Sequence, residues 1–243
     1  MNAELINYPE GISPRKAAIT AGLCSLVLAA AAGVAEFYAR QQLIVPDDAA
    51  ETARRILHGQ TSFRIGIFGF AIALICDLLI SWALYVFLKP ANKSLSLLTA
   101  WFRLVYTAIF AVSVMELLSG NQVLTDKSLS AAMEPDQLHA LALHHFQVFD
   151  HGWAIGFLFF GLHLVMLGYL AVTSGMIPKV IGIVILIAGT AYFGSNLAKL
   201  VLPDYRAYEA VFTAIVAIPS VIGELSFAIW LLAVGGKERR SKV

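Results

Sequence analysis

Apolar residues run almost without interruption over six stretches of the chain, and polar residues gather between them. The stretches are Ala17 to Tyr38, Ile65 to Leu88, Leu95 to Leu118, Val148 to Val172, Val180 to Leu202 and Ala210 to Val234. Each reaches the roughly 20 residues that a helix needs to cross about 30 Å of hydrocarbon. Inside a bilayer every backbone amide must be satisfied within its own segment, so each stretch is expected to be a helix. The pattern therefore predicts an all-α integral membrane bundle of six transmembrane helices, one polytopic domain over residues 1–243. It leaves no stretch for a separate soluble module.

The polar punctuation sharpens the helix ends. Ser13-Pro14 is a helix start, with Ser as N-cap and Pro in the first turn. Glu36 and Arg40, at i,i+4 spacing, close the first span as a surface pair at the headgroups. Asp47 or Asp48 caps a short surface helix that stops at Gly59. The short Lys89–Ser94 loop makes spans 2 and 3 antiparallel neighbours. Glu134-Pro135-Asp136 begins a helix that runs into span 4 and projects beyond the membrane. Spans 4 and 5 carry Gly152, Gly156, Gly161 and Gly168, and Gly182, Gly189 and Gly194, and are expected to pack closely.

Composition agrees with the pattern. The chain of 243 residues is 59% hydrophobic and 14% charged, with mean hydropathy +0.76, far more apolar than an average soluble domain. A net charge of +1 gives no reason to expect a nucleic-acid partner. Cys24 and Cys76 both fall inside spans and read as small apolar packing residues, with no disulfide assigned. Arg15, Lys16, Lys89, Lys93, Lys179, Lys237, Arg239, Arg240 and Lys242 flank one side of the spans, with Glu4, Glu10 and Glu238. By the positive-inside rule that side is cytoplasmic, giving N-in/C-in.

Charged residues within the spans carry the candidate chemistry. Counting from the cytoplasmic helix ends at 1.5 Å per residue, Asp77, Arg103, His163 and Glu224 share a layer about 12 to 17 Å deep. Each charge at such depth costs roughly 2.5 to 3.5 kcal/mol, so these groups must face the interior and find partners. Asp77 and Arg103 sit on the two arms of the short hairpin and form the natural pair. Glu224, one turn after Ser220 and close to Pro219, is left to a proton, to His163 or to a bound cation. Such a layer suits binding of a small solute, ion or proton, but buried polar clusters also simply pin helices together. Tyr106 and Tyr192 lie close enough to line it.

A second polar group occupies the outer half: Glu116, Asp150, His151, Asn196 and Lys199, read as an outward-opening funnel. The histidines His139, His144, His145 and His151 lack any metal-site spacing, and only His163 lies at membrane depth, so no metal and no haem or other cofactor is assigned. Motifs for a nucleophile elbow, a P-loop, a redox CxxC or a dinucleotide fingerprint are absent from the sequence.

The segments CDLLISWALYVFLKP, WFRLVYTAIF, FFGLHLVMLGYLAVTSGMIPKVIG and IPSVIGELSFAIWLL resemble the bacterial membrane family catalogued as domain of unknown function 4386. The resemblance covers nearly the whole chain, from about Ala17 to Val234. It implies a six-span protein of the bacterial cytoplasmic (inner) membrane and supplies no activity or catalytic residue. The leading expectation is a transporter or binding protein for a small solute, ion or proton at the buried layer, with the lipid bilayer as its constant partner. The alternative is a membrane-embedded enzyme acting on a lipid-like substrate, with His163 and the carboxylates as acid and base. The second alternative is a non-catalytic sensor or assembly partner.

Overall fold

The structure, a computed structural model, describes residues 11–235. The charges at Glu4, Glu10, Lys237, Glu238, Arg239, Arg240 and Lys242, used above for orientation, lie outside these residues. The described chain is helical, with α1 over Pro14–Leu43, α2 over Ala49–His58, α3 over Gln60–Leu88 and α4 over Lys93–Thr125. The short α5, Lys127–Ala132, leads to α6 over Pro135–Ser174, α7 over Lys179–Val201 and α8 over Tyr205–Ala233. Six of these helices, α1, α3, α4, α6, α7 and α8, are long and apolar enough to cross a membrane. The protein is thus a multi-pass membrane protein built on six spans. Both described ends of the chain lie at one face of the bundle, called here the terminal face; the opposite end is the loop face.

The caps fall where the local chemistry puts them. Ser13 accepts from the Lys16 amide with Pro14 following, Asp48 accepts from the Glu51 amide, and Gly59 closes α2. Glu134 and Gln137 form a reciprocal capping box on α6, which then continues for 40 residues, about 60 Å. That length exceeds a bilayer core, so α6 extends beyond the membrane at the loop face, as its start signal predicted.

Close approach between α6 and α7 rests on glycine. A Cβ placed on Gly168 would meet the Gly182 carbonyl oxygen at 2.7 Å, and one on Gly161 the Gly189 carbonyl oxygen at 2.8 Å. The two glycines on each helix are seven residues apart, so they share a face and meet twice along an antiparallel contact. At the other side of the bundle, Gly69 of α3 admits the Ala31 carbonyl of α1 in the same way, at 2.7 Å.

The first span departs from the expected geometry. Val34–Arg40 winds as a π-helix before a last α-turn at Gln41–Leu43. This extra residue per turn rotates Arg40 inward. Its guanidinium donates to Glu36 at 2.5 and 2.6 Å and to Asp150 of α6 at 2.9 Å, and lies 5.4 Å over the Phe149 ring. The expected surface pair is therefore a largely buried link between α1 and α6, with side-chain exposures of 17% for Arg40 and 13% for Glu36.

At the terminal face Arg15 ties the first span to the last. Its Nη1 donates to the carbonyls of Leu231 and Gly235, and its Nη2 to that of Leu232. Two of these carbonyls, those of Leu231 and Leu232, are left without helix partners by the end of α8. Toward the loop face α8 is less covered, and from Arg206 to Ile218 it has no buried residue.

Candidate functional site

The buried layer assembles largely as its depths required. Arg103 of α4 donates through Nε at 2.9 Å and Nη2 at 2.5 Å to one oxygen, Oδ1, of Asp77 on α3. Both residues are buried. The short turn between α3 and α4 fixes this register, and the long arginine side chain spans the difference in depth. His163 of α6, fully buried, completes a triad: its Nε2 lies 3.2 Å from Arg103 Nη1 and its Nδ1 lies 2.9 Å from the Thr99 carbonyl oxygen.

These contacts settle the state of the imidazole. Guanidinium nitrogens only donate and carbonyl oxygens only accept. Nε2 must therefore accept from Arg103, while Nδ1–H donates to Thr99. A proton on Nε2 would face an N–H of a permanent cation, so His163 is neutral here. It gives no positive charge to Glu224, which removes one of the three neutralising partners expected from the sequence.

Glu224 of α8 stands apart from the triad. Among the described residues it has no hydrogen-bond or ion-pair partner. It lines a cavity of about 70 Å³ together with Arg103, and all six spans contribute to the wall, with Ser25, Ile80, Leu164 and Ile185 from the other four. Space of this size admits a few water molecules or a small ion, since one water needs about 10 to 15 Å³ on this measure. Ala29 and Leu225 at its margin are exposed on the outer surface of the bundle, so its mouth lies between α1 and α8. Pro219 lies inside α8 and removes the amide that would bond Ile215, while the Ser220 hydroxyl donates to the Val216 carbonyl at 2.7 Å. The irregular backbone thus sits one turn from Glu224.

Tyr106 and Tyr192 belong to a column of aromatic rings between the layer and the loop face. Phe149, Trp153 and Phe157 follow one another along α6 at centroid separations of 5.2 and 5.1 Å. Tyr106 packs on Phe157 and Phe160, and Tyr192 stacks on Phe157 at 5.1 Å. Trp153 donates to the Tyr106 hydroxyl at 3.5 Å. Arginine caps each end: Arg40 over Phe149 and Arg103 over Phe160, at 5.4 and 5.3 Å. Tyr192 also neighbours Ser220 and Glu224 on α8.

The outer group divides. Asp150 and Lys199 line one cavity at the loop face. Asn196 instead donates to the Tyr192 carbonyl of its own helix, and His151 is exposed. Glu116 pairs with His145 Nδ1 at 2.7 Å and lines a separate, apolar groove between α4 and α6. One funnel uniting all five residues is therefore not formed. Arg40, Arg206 and Glu209 also line the loop-face cavity, and the chain carries no local sign of it, since half of a surface pair and charges near a helix start do not mark an inward face. Among the described residues no cluster of three metal-ligating side chains occurs. Cys24 and Cys76 are free thiols that meet across the α1–α3 interface.

No solved structure matches the chain. An uncharacterized protein of Archaeoglobus fulgidus is 30% identical over 171 residues, covering 70% of this chain and 84% of that one. The family model described as Domain of unknown function (DUF4386) matches residues 20–235, a range that holds the buried triad, Glu224 and all or most of each span, and the chain belongs to that family.

Proposed function

We propose that this membrane protein binds a proton or a small cation at Glu224, with Arg103 as the fixed charge beside it. The observation that carries the reading is the unpartnered Glu224 carboxyl in a cavity where all six spans meet. Asp77 and Arg103 cancel one another and His163 is neutral, so the remaining charge on the layer is that of Glu224. A lone carboxylate at this depth is too costly to leave bare, and a proton or a cation completes it. The triad itself, with its donors and acceptors turned on one another, serves as the scaffold. The about 70 Å³ of space suits an ion or a few waters and is too small for a lipid headgroup, which favours binding or transport over lipid chemistry.

Infrared difference spectroscopy on the reconstituted protein tests this. A carboxylic acid band is expected that disappears on raising the pH or on adding the preferred alkali cation, and that is missing in Glu224→Gln. The reading fails if a folded Glu224→Gln protein gives the same carboxyl spectrum as the parent under all these conditions.

A further inference from the structure

The loop-face cavity, about 290 Å³, lies between the end of α1, α6, α7 and the start of α8. Its charged lining is Arg40, Asp150, Lys199, Arg206 and Glu209. Two of these cations are already engaged. Arg40 is held by Glu36 and Asp150, and Arg206 by Asp47 of the loop after α1. Lys199 and Glu209 have no ion-pair partner among the described residues, and they do not pair with one another across the cavity. Opposite charges held apart on adjoining helices select a molecule that carries both signs. A simple anion would face Asp150 and Glu209 as well as Lys199, and a simple cation would face three basic groups.

Position narrows the chemistry further. Lys199 is two residues from the end of α7, Arg206 and Glu209 lie in the first turns of α8, and Arg40 is in the last turns of α1. These are span ends, the level of lipid headgroups. The volume is near the lower bound of small-ligand pockets. Beside the cavity α8 leaves its apolar side chains uncovered: Val211, Ile215 and Ile218 are 59%, 51% and 63% exposed. Acyl chains below a headgroup seated in the cavity would lie along them. The π-helical turn that delivers Arg40 and, through it, holds Asp150 in place is a form often kept at functional sites.

We propose that this cavity binds a phosphoethanolamine-type zwitterion, with the phosphate on Lys199 and the primary ammonium on Glu209, the two lining charges left without ion-pair partners among the described residues. The source that best fits the location is a lipid headgroup; a free amino-phosphate carries the same chemistry. The site is independent of Glu224.

Native mass spectrometry of the full chain released from nanodiscs containing phosphatidylethanolamine, phosphatidylcholine and phosphatidylglycerol tests the assignment. Phosphatidylethanolamine is expected to be retained roughly tenfold over the other two, because choline offers no N–H to the Glu209 carboxylate and phosphatidylglycerol lacks the cation. Lys199→Gln and Glu209→Gln should each abolish that preference, while Lys199→Arg and Glu224→Gln keep it. Displacement by free phosphoethanolamine would show that the headgroup alone is read, and retention in its presence that the lipid is required. Equal retention of phosphatidylglycerol, or an unchanged preference in both charge-removing variants, overturns the proposal. Should Lys199→Gln fail to fold, the contrast between Glu209→Gln and Lys199→Arg decides it.

Discussion

Replacing Asp77 by Asn keeps the shape of the side chain and removes the charge that faces Arg103. A buried guanidinium stripped of its only counter-charge costs about 3 to 5 kcal/mol. Here a second carboxyl is at hand, because Glu224 lines the same cavity as Arg103. In Asp77→Asn it can release its proton or cation and take over as the counter-charge. The single variant should therefore lose only about 1 to 2 kcal/mol, the scale of an interhelical hydrogen bond in a bilayer. Glu224→Gln alone removes a group without a partner and should cost less than about 0.5 kcal/mol. The double variant leaves Arg103 bare and should lose about 3 to 5 kcal/mol, so the two substitutions couple by about 2 kcal/mol. Reversible unfolding in mixed micelles, run as a double-mutant cycle, measures that coupling. Infrared spectra of Asp77→Asn should show the Glu224 carboxylic acid band replaced by a carboxylate band without added cation. Additivity within about 0.5 kcal/mol would refute the shared charge balance, because independent groups behave that way.

Gly168→Ala forces a methyl group to 2.7 Å from the Gly182 carbonyl, a contact that only separation of α6 and α7 can relieve. A loss of about 1 to 3 kcal/mol is expected by the same unfolding assay, and Gly194→Ala, whose Cβ meets nothing within 4 Å, serves as the neutral control. Outside the membrane, hydrogen bonds from Arg54 and Arg55 hold the Glu51 carboxyl down at about 2. A lowered folded value means that the support Glu51 gives to α2 is present above the ordinary glutamate range and is lost as pH falls through about 2. Amide exchange in α2, corrected for intrinsic rates, should rise over that fall in the parent protein and stay level with pH in Glu51→Gln.

Much of the architecture was legible along the chain because a bilayer imposes it segment by segment. Length and hydropathy mark the six spans, and Ser13, Asp48, Gly59 and Glu134 mark helix ends through local hydrogen bonds that need no distant partner. The Asp77–Arg103 pair was legible for a related reason: a short hairpin makes depth a matter of counting residues. Counting residues puts His163 level with Arg103, but the direction of its two nitrogens depends on Thr99 and Arg103, which another helix supplies. Its neutrality could not be read from the sequence.

Residues at the loop face show the limit most clearly. Glu36 and Arg40 look like a local surface pair, yet a π-helical turn points Arg40 at Asp150, 110 positions away in the chain. Arg206 and Glu209 look like ordinary helix-start charges until α8 is placed beside α1. Six membrane-spanning helices, their caps and a layer of charges that must be satisfied in the interior can all be read along the chain, because each follows from local periodicity and the cost of charge in hydrocarbon. Which charges satisfy one another emerges only once the helices are packed. That packing alone leaves Glu224 unpaired in a central cavity and leaves Lys199 and Glu209 facing a second one, because pairing depends on how far helices rotate and separate when they pack.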